Sequence, residues 1–485
     1  MYSIMSILNQ SNQNSSLVNS LMDATQSLTN PFQYSIEKQI PFHGVQYIRH
    51  APVNASSFGA SSSIDFDLTK FGFLRSAIFT WNTTPPTGAV SVPPSGTLNA
   101  IDRIELLSAS RRLAVMDRHA LKAALSDMPA DVRSNYLKGL HAVSSGKQMP
   151  AGETYTSHLF VPMAFFCNIK NSLALSFVEP VKLRIVMSNQ QYCVVEAGTH
   201  GGAAPGLTNA KGTMALSAPE LYCEYRVLDP ETEDATIEEN YDNVLTQLSY
   251  DYHTEVEATG TLAADAELDL SVELKDPGVI SAAYVIVSCD YDDIHSAAEI
   301  ADGTTGSQGT SEARASKMRE NMVAAEQSLI CSSIGFKASG QDIVPTMPAR
   351  IVELYGRRNL SQYQHATGFG NTYQSRDDPT NLHCVYKLDF GLDSDNRYNS
   401  GGISLRELNA PTISVSVRRA SGSTTDDEQG GADEGQRPET TGKLGSNKNS
   451  GFLAGKKVKM RVVLKKHTLI STDPASGRLV QSISN

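Results

Sequence analysis

The residue types that most often carry out chemistry are present, but they do not stand at catalytic or metal-binding spacings. The eleven histidines form no His-x-His pair and no His-Glu-x-x-His motif. No Gly-Lys pair completes a phosphate-binding loop, and no Gly-x-Ser-x-Gly nucleophile motif occurs. The sequence therefore predicts no catalytic residue, no cofactor-binding residue and no metal ligand. The six cysteines form no Cys-x-x-Cys motif, which indicates buried thiols in a reducing compartment: Cys167, Cys193, Cys223, Cys289, Cys331 and Cys384.

One acidic cluster could hold a hard cation. The segment Cys289-Asp-Tyr-Asp-Asp carries the carboxylates of Asp290, Asp292 and Asp293, and calcium prefers such ligands. The cluster stands where a predicted strand enters a loop, so solvated loop acids are the interpretation that we favour over a calcium site. Asn-x-Ser/Thr sequons are too short to predict glycosylation, and they include Asn54, Asn82 and Asn359.

The charge balance argues against a nucleic-acid coat. The 485 residues have a formal net charge of -11, whereas phosphate binding depends on Lys and Arg. One basic run, from Gly455 to His467, alternates apolar residues such as Val458 and Met460 with Lys and Arg, including Lys465. A strand with a solvated basic face is the favoured interpretation, and a surface for nucleic acid or membrane is the alternative. No signal peptide and no transmembrane helix are expected.

The elements that would position any site are strands, and their pattern occurs twice. Ile64, Phe66 and Leu68 alternate with polar residues, which is typical of a strand with one buried face. Adding 206 to these positions gives Leu270, Val272 and Leu274, which alternate in the same way, and a turn and a more apolar strand follow in both places. These pairs predict that the chain contains one fold twice: Ile64 with Leu270, Phe66 with Val272, Leu68 with Leu274, and Ala77 with Ala283.

The remaining segments repeat in the same order. The alternating strand around Leu183 corresponds to the strand around Ile413, at an offset of 230 that longer loops explain. Two helices are predicted at 118–129 and 130–140, and the pattern otherwise favours strands. The predicted fold is all-β, with two tandem eight-stranded jelly-roll β-sandwiches and short helices in the loops. The predicted divisions are an N-terminal assembly arm at 1–37, a first jelly roll at 38–229, an acidic linker at 230–243, a second jelly roll at 244–470 and a C-terminal tail at 471–485.

The order of segments resembles the double jelly-roll major capsid proteins of nucleocytoplasmic large DNA viruses, virophages and tailless icosahedral DNA phages. Leu159 to Phe166 and Asn171 to Leu175 stand where that family has a strand, a proline, an aromatic cluster and Asn-x-x-Leu-Ala-Leu, with one residue fewer after the Asn here. Tyr225 to Glu231 is similar to its Tyr-strand-Leu-Asp-x-Glu segment. Ile403 to Val415 is similar to its Phe-Ser-Arg-Ile-Asp-Asn-Pro-Thr-Leu segment, with one extra residue before Pro411.

The resemblance implies a structural protein rather than an enzyme. It implies a homotrimer that forms a pseudo-hexagonal capsomer, tiles an icosahedral shell with its neighbours and contacts minor capsid and penton proteins. The implied location is the virion capsid, assembled inside the host cell, with no direct nucleic-acid contact. The arm at 1–37 would lie beneath the tile, near an internal membrane, and the sequence leaves open whether it is disordered or docked. The alternatives are a carbohydrate-binding or hydrolytic β-sandwich spike protein and a minor or penton-type capsid protein.

Overall fold

The structure is a computed structural model of the chain. It describes Met322, Ala325 and residues 42–54, 62–85, 90–109, 111–128, 130–142, 147–150, 152–163, 173–176, 178–188, 193–195, 209–212, 215–228, 245–255, 257–263, 266–289, 329–349, 351–352, 385–391, 401–419, 455–473 and 478–483. Antiparallel strands make up most of these residues. In this part of the chain, no helix has the length and apolar character that a membrane span requires.

The first half of the chain folds into strands and two helices. The helices are α1 Arg118–Ser126 and α2 Ala130–Gly139, as the sequence predicted. The strands are β1 Phe42–His50, β2 Ser63–Asp67, β3 Phe73–Thr84, β4 Val90–Val92, β5 Ile101–Ser108, β6 Arg111–Asp117, β7 Lys147–Met149, β8 Tyr155–Phe160, β9 Leu173–Ala174, β10 Val181–Met187, β11 Cys193–Val195, β12 Asn209–Gly212 and β13 Ala215–Leu228.

Two sheets, each with four main strands, form the first sandwich. One sheet has the order β1-β13-β3-β8, with β9 beside β3, and the other has the order β2-β10-β5-β6. Apart from β5 and β6, which form a hairpin within one sheet, consecutive main strands of the two sheets alternate between them, which is the jelly-roll arrangement. Its core includes Phe66 packed edge-on against Phe79, which stacks on Trp81. A separate small sheet, β12-β11-β4-β7, comes from the loops.

The second half repeats this topology. One sheet has the order β14-β23-β17-β20 and the other β16-β22-β18-β19, while β15, β21 and β24 lie beside the first sheet. The strands are β14 Leu245–Thr254, β15 Ala258–Thr261, β16 Leu268–Glu273, β17 Val279–Cys289, β18 Leu329–Ala338, β19 Gln341–Pro348, β20 Val385–Asp389, β21 Ile403–Ser404, β22 Thr412–Arg419, β23 Lys457–Asp473 and β24 Arg478–Ile483.

The strand register reproduces both sequence offsets. In the first sandwich, Leu183 of β10 lies opposite Phe66 of β2. In the second, Ile413 of β22 lies opposite Val272 of β16. The partners differ by 206 and 230 positions, as the sequence predicted. The predicted fold of two tandem jelly rolls is therefore confirmed, and the shared register shows that the two halves match residue by residue in these strands.

Several sequence assignments lie outside the described residues. These are the arm at 1–37, the linker at 230–243 and the acidic segment at 290–293. The domain boundaries remain predictions. The segment assigned as a C-terminal tail, 471–485, contributes to the sheet, because β23 runs to Asp473 and β24 pairs with it.

Candidate functional site

The two sandwiches meet along the outer face of the second one. Strand β17 is buried on both faces: Ala283 and Val285 point into the second core. Their neighbours Ala282, Tyr284 and Ile286 pack with the core of the first sandwich. An apolar strand without polar alternation is typical of a sheet that is covered on both sides. The junction is therefore a buried interface and not a loose linkage between domains.

Helix α1 supplies the first sandwich's side of this junction. The Asp117 side chain accepts a hydrogen bond from the Ala120 amide at 2.7 Å and so caps the helix. The same oxygen accepts a hydrogen bond from the Thr254 hydroxyl of β14 at 2.8 Å. The helix packs against β14 and β23, and alanines allow this close approach. The buried positions of the helix are Ala120, Leu121, Ala123, Ala124 and Leu125.

A buried charge cluster lies at the C-terminal end of α1. Asp127 accepts hydrogen bonds from Lys465 Nζ at 2.6 Å and from Lys387 Nζ at 2.7 Å. The Tyr252 hydroxyl donates to the same carboxylate at 3.2 Å. Burial by itself would raise the pKa of Asp127, but the two ammonium groups hold it below its ordinary value. A second carboxylate, that of Asp389, lies 3.9 Å from Lys387. Charges from both sandwiches thus compensate one another in this cluster.

The position of Lys465 corrects the sequence interpretation of the basic run. A solvated basic face was expected there, but the Lys465 side chain is 1% exposed. Burial lowers its pKa, and Asp127 opposes that shift. Further along β23, Lys459 and Arg461 both pair with Glu257, at 3.2 and 3.0 Å. The prediction failed because alternation identifies the outer face of a sheet but does not show that another domain covers it.

The described residues contain one group with the spacing of a metal site, which the sequence did not indicate. The ligand atoms of His253, Glu255 and Asp276 lie within 4.8 Å of one another. Asp276 already accepts a hydrogen bond from Lys466 Nζ at 2.6 Å, and its amide donates to Glu255 at 3.1 Å. Because strands and a turn separated in sequence bring this group together, no local motif could have revealed it. Its carboxylates are already paired within the chain, and it carries no metal proposal.

Two of the sequon asparagines make hydrogen bonds through their side chains. Asn54 donates to the Ser63 carbonyl at 2.9 Å and accepts from the Asp65 amide at 3.0 Å. Asn82 lies in β3, where its side chain accepts a hydrogen bond from Thr156 at 2.9 Å. The Asn359 sequon lies outside the described residues, as does the acidic cluster beyond Cys289.

The outer face of the first sandwich is exposed and partly apolar. Tyr47 of β1 is 80% exposed, Tyr222 of β13 is 43% exposed, and Val45 stands beside them. Glu224 of the same face accepts hydrogen bonds from Arg75 at 2.6 Å and from Ser76 at 3.2 Å. Exposed aromatic residues grouped on one sheet face are typical of a protein-binding surface.

Comparisons with known proteins identify the fold. No protein-family model and no curated protein matched the chain. Among solved structures, a chain of the PBCV-1 virus capsid is similar, with a TM-score of 0.60 and 14% identity over 94% of this chain and all of that one. The Faustovirus major capsid protein has a TM-score of 0.54 and 11% identity over 93% and 96% of the two chains. A chain of the Sputnik virophage has a TM-score of 0.55 and 12% identity over 94% and 91%.

The chain therefore has the double jelly-roll fold that these viral capsid structures share. The likeness spans both sandwiches, because it covers nearly the whole length of each chain. It confirms, at the level of the fold, the resemblance that the strand motifs indicated.

Proposed function

We propose that the protein is a major capsid protein whose activity is self-assembly into a viral shell. The observation that carries the proposal is the pairing of two jelly rolls through a buried junction, in a fold shared with viral capsid structures over 94% of the chain. The proposed assembly unit is a homotrimer. Three chains contribute six similar sandwiches, so the unit has pseudo-hexagonal symmetry and tiles an icosahedral shell.

The junction inside one chain supports this arrangement. It joins unlike surfaces of two similar sandwiches, the α1 side of the first and the outer sheet face of the second. Contacts of that head-to-tail kind can repeat from one sandwich to the next. They close into a ring when the rotation that relates neighbouring sandwiches divides a full turn evenly. A chain that already contains two of six such units needs two more copies to close the ring.

The remaining parts of the proposal concern location and partners. The protein is placed in the virion capsid after assembly inside the host cell, and it has no catalytic role. Its proposed partners are copies of itself, neighbouring capsomers, and minor capsid and penton proteins. The arm at 1–37 faces inward, toward an internal membrane or minor capsid proteins. The net charge of -11 suits a shell tile that does not contact the genome directly.

Solution mass and negative-stain electron microscopy of the purified full-length chain test the proposal. The expected result is a hexagonal particle with a mass about three times the 52.4 kDa of one chain. A monomer that binds carbohydrate would overturn it in favour of a spike protein. A ring of five would favour a penton-type protein.

A further inference from the structure

The duplication lets each position on one sandwich be compared with its counterpart on the other. In the first sandwich, Tyr47 of β1 lies opposite Glu224 of β13. In the second, Tyr252 of β14 lies opposite Lys465 of β23. The next strands agree, because Glu224 lies opposite Ser76 and Lys465 lies opposite Ala282, at the offset of 206. Tyr47 and Tyr252 are therefore equivalent positions on the outer faces of two matching sheets.

A second pair of positions follows from the same register. Arg49 lies opposite Tyr222 in the first sandwich, and Thr254 lies opposite Val463 in the second. Tyr222 and Val463 are thus equivalent, and their side chains lie on the same outer faces as the two tyrosines.

The equivalent positions differ sharply in exposure. Tyr252 is 4% exposed and Val463 is fully buried, because α1 of the first sandwich covers them within the chain. Tyr47 is 80% exposed and Tyr222 is 43% exposed. The first sandwich therefore keeps the face that the second sandwich buries. It carries aromatic residues there, and the described part of the chain leaves them uncovered.

The counterpart of α1 also carries an exposed apolar residue. Helix α1 begins directly after β6, and a helical segment begins at Ala349 directly after β19, its equivalent strand. Met116 lies opposite Ile104 and Met347 lies opposite Ile334, which aligns Ile351 with Ala120. Ala120 is fully buried at the junction, whereas Ile351 is 41% exposed. Exposed large apolar residues thus occur on both sandwiches, at positions equivalent to the two sides of the junction within the chain. They are Tyr47 and Tyr222 on the first sandwich and Ile351 on the second.

The geometry points to a contact between chains that copies the contact within the chain. The surface formed by Val45, Tyr47, Arg49, Tyr222 and Glu224, here called the Tyr47 face, binds the second sandwich of a neighbouring copy through the helical segment that contains Ile351. This inference rests on the proposed trimer and names the surfaces that form it. The occupant is a second copy because the equivalent face is already covered by the equivalent helix of this same chain.

Charge distinguishes the two equivalent faces. The covered face presents Lys465 to the carboxylate of Asp127, whereas the Tyr47 face carries Glu224 at the position of Lys465. Glu224 is already paired within its own chain, with Arg75 at 2.6 Å. The Tyr47 face therefore offers a compensated carboxylate where the covered face offers a cation, so the two faces are not interchangeable in charge.

Two aspartate variants test the two surfaces separately. We expect Tyr47→Asp and Ile351→Asp each to weaken trimer formation by at least about tenfold, because a charge would be buried at an apolar contact. Analytical ultracentrifugation measures the mass across a dilution series. Val53→Asp is the matched control, because Val53 is 58% exposed and lies outside the Tyr47 face. The emission of Trp81, the single tryptophan, reports whether each variant is folded.

Mixing the two variants makes the test directional. Each variant retains one intact surface, so an equimolar mixture should form dimers that neither variant forms alone and that cannot close into trimers. Trimers in both variants as stable as in the natural chain would overturn the assigned surfaces while leaving the proposed capsid function intact. A natural chain that stays monomeric would instead overturn the proposed function. If an aspartate variant were unfolded, Tyr47→Ser would provide the same comparison, with unchanged trimer stability again excluding the Tyr47 face.

Discussion

Lys465 of the second sandwich lies 2.6 Å from Asp127 of the first, Nζ to Oδ2, and the two side chains are 1% and 2% exposed. Lys387 approaches the other carboxylate oxygen at 2.7 Å. A buried ion pair gives little net stability in comparison with apolar residues, but removing one partner leaves a charge without compensation. The pair therefore makes the two jelly rolls interdependent, and it orients one relative to the other.

Replacing Asp127 by Asn should lower the free energy of unfolding by about 3–5 kcal/mol, because Lys465 would remain charged in a buried position. Lys387 would keep only Asp389, at 3.9 Å, as its partner. Urea denaturation followed by Trp81 fluorescence and far-ultraviolet circular dichroism measures this change. Adding Lys465→Met to the variant should restore part of the loss, since one uncompensated charge is removed.

The matched control is an ion pair on the surface. Lys182 and Asp67 lie 3.2 Å apart and are 37% and 57% exposed. Asp67→Asn should change the free energy of unfolding by less than about 1 kcal/mol. Equal effects of the two substitutions would contradict the special role of the buried cluster.

Acid should weaken the junction through Asp127. Its pKa in the folded protein lies below the ordinary value of 3.8 because Lys387 and Lys465 outweigh the opposite effect of burial. At a pH between the folded pKa and 3.8, the unfolded chain binds more protons at Asp127 than the folded chain does, so the free energy of unfolding falls as the pH falls. The contribution is complete well above pH 3.8 and is lost as the pH falls through the folded pKa. The difference in urea midpoint between the natural chain and Asp127→Asn should therefore shrink in acid, and a difference that is independent of pH would refute this account.

Gly96 should not tolerate a side chain. Its φ is +63°, and an added Cβ would overlap the Leu140 carbonyl and lie 2.7 Å from the Ala142 amide nitrogen. Gly96→Ala should cost about 1–3 kcal/mol through backbone strain and overlap. Gly152 has φ +79° and open space around it, so Gly152→Ala provides the control for strain alone. The melting temperature of Gly96→Ala should fall further than that of the control, and equal losses would show that overlap is unimportant.

Cys223 should resist alkylation in the folded protein. The thiol is buried in the first core, and burial raises its pKa to about 12. Because the thiolate is the reactive form, ionisation alone should slow its reaction by about three orders of magnitude relative to an exposed cysteine. Site-resolved mass spectrometry after iodoacetamide treatment measures the rate. An introduced Val53→Cys should react rapidly in the same sample, and comparable rates at both sites would contradict the burial.

Local sequence patterns predicted the strands well because a half-buried strand must alternate. Val181, Leu183, Ile185 and Met187 face the core in β10 as their spacing indicated. The offsets of 206 and 230 predicted the duplication, and the register of β2 with β10 and of β16 with β22 reproduces them. The helix after β6 was also predictable, since Asp117 is a good N-cap and the following residues favour a helix.

What covers each outer face was decided by the tertiary structure. Alternation placed Lys465 on the outer side of its strand, but only the packing of α1 put Asp127 beside it and removed both from water. Tyr47 and Tyr252 occupy matching positions in matching sheets, yet one is 80% exposed and the other is 4% exposed. Strand periodicity depends on interactions between near neighbours, whereas the burial of an outer face depends on contacts between segments far apart in the chain. The sequence by itself therefore determined two similar sandwiches, and the tertiary structure decided which face joins them and which face remains open.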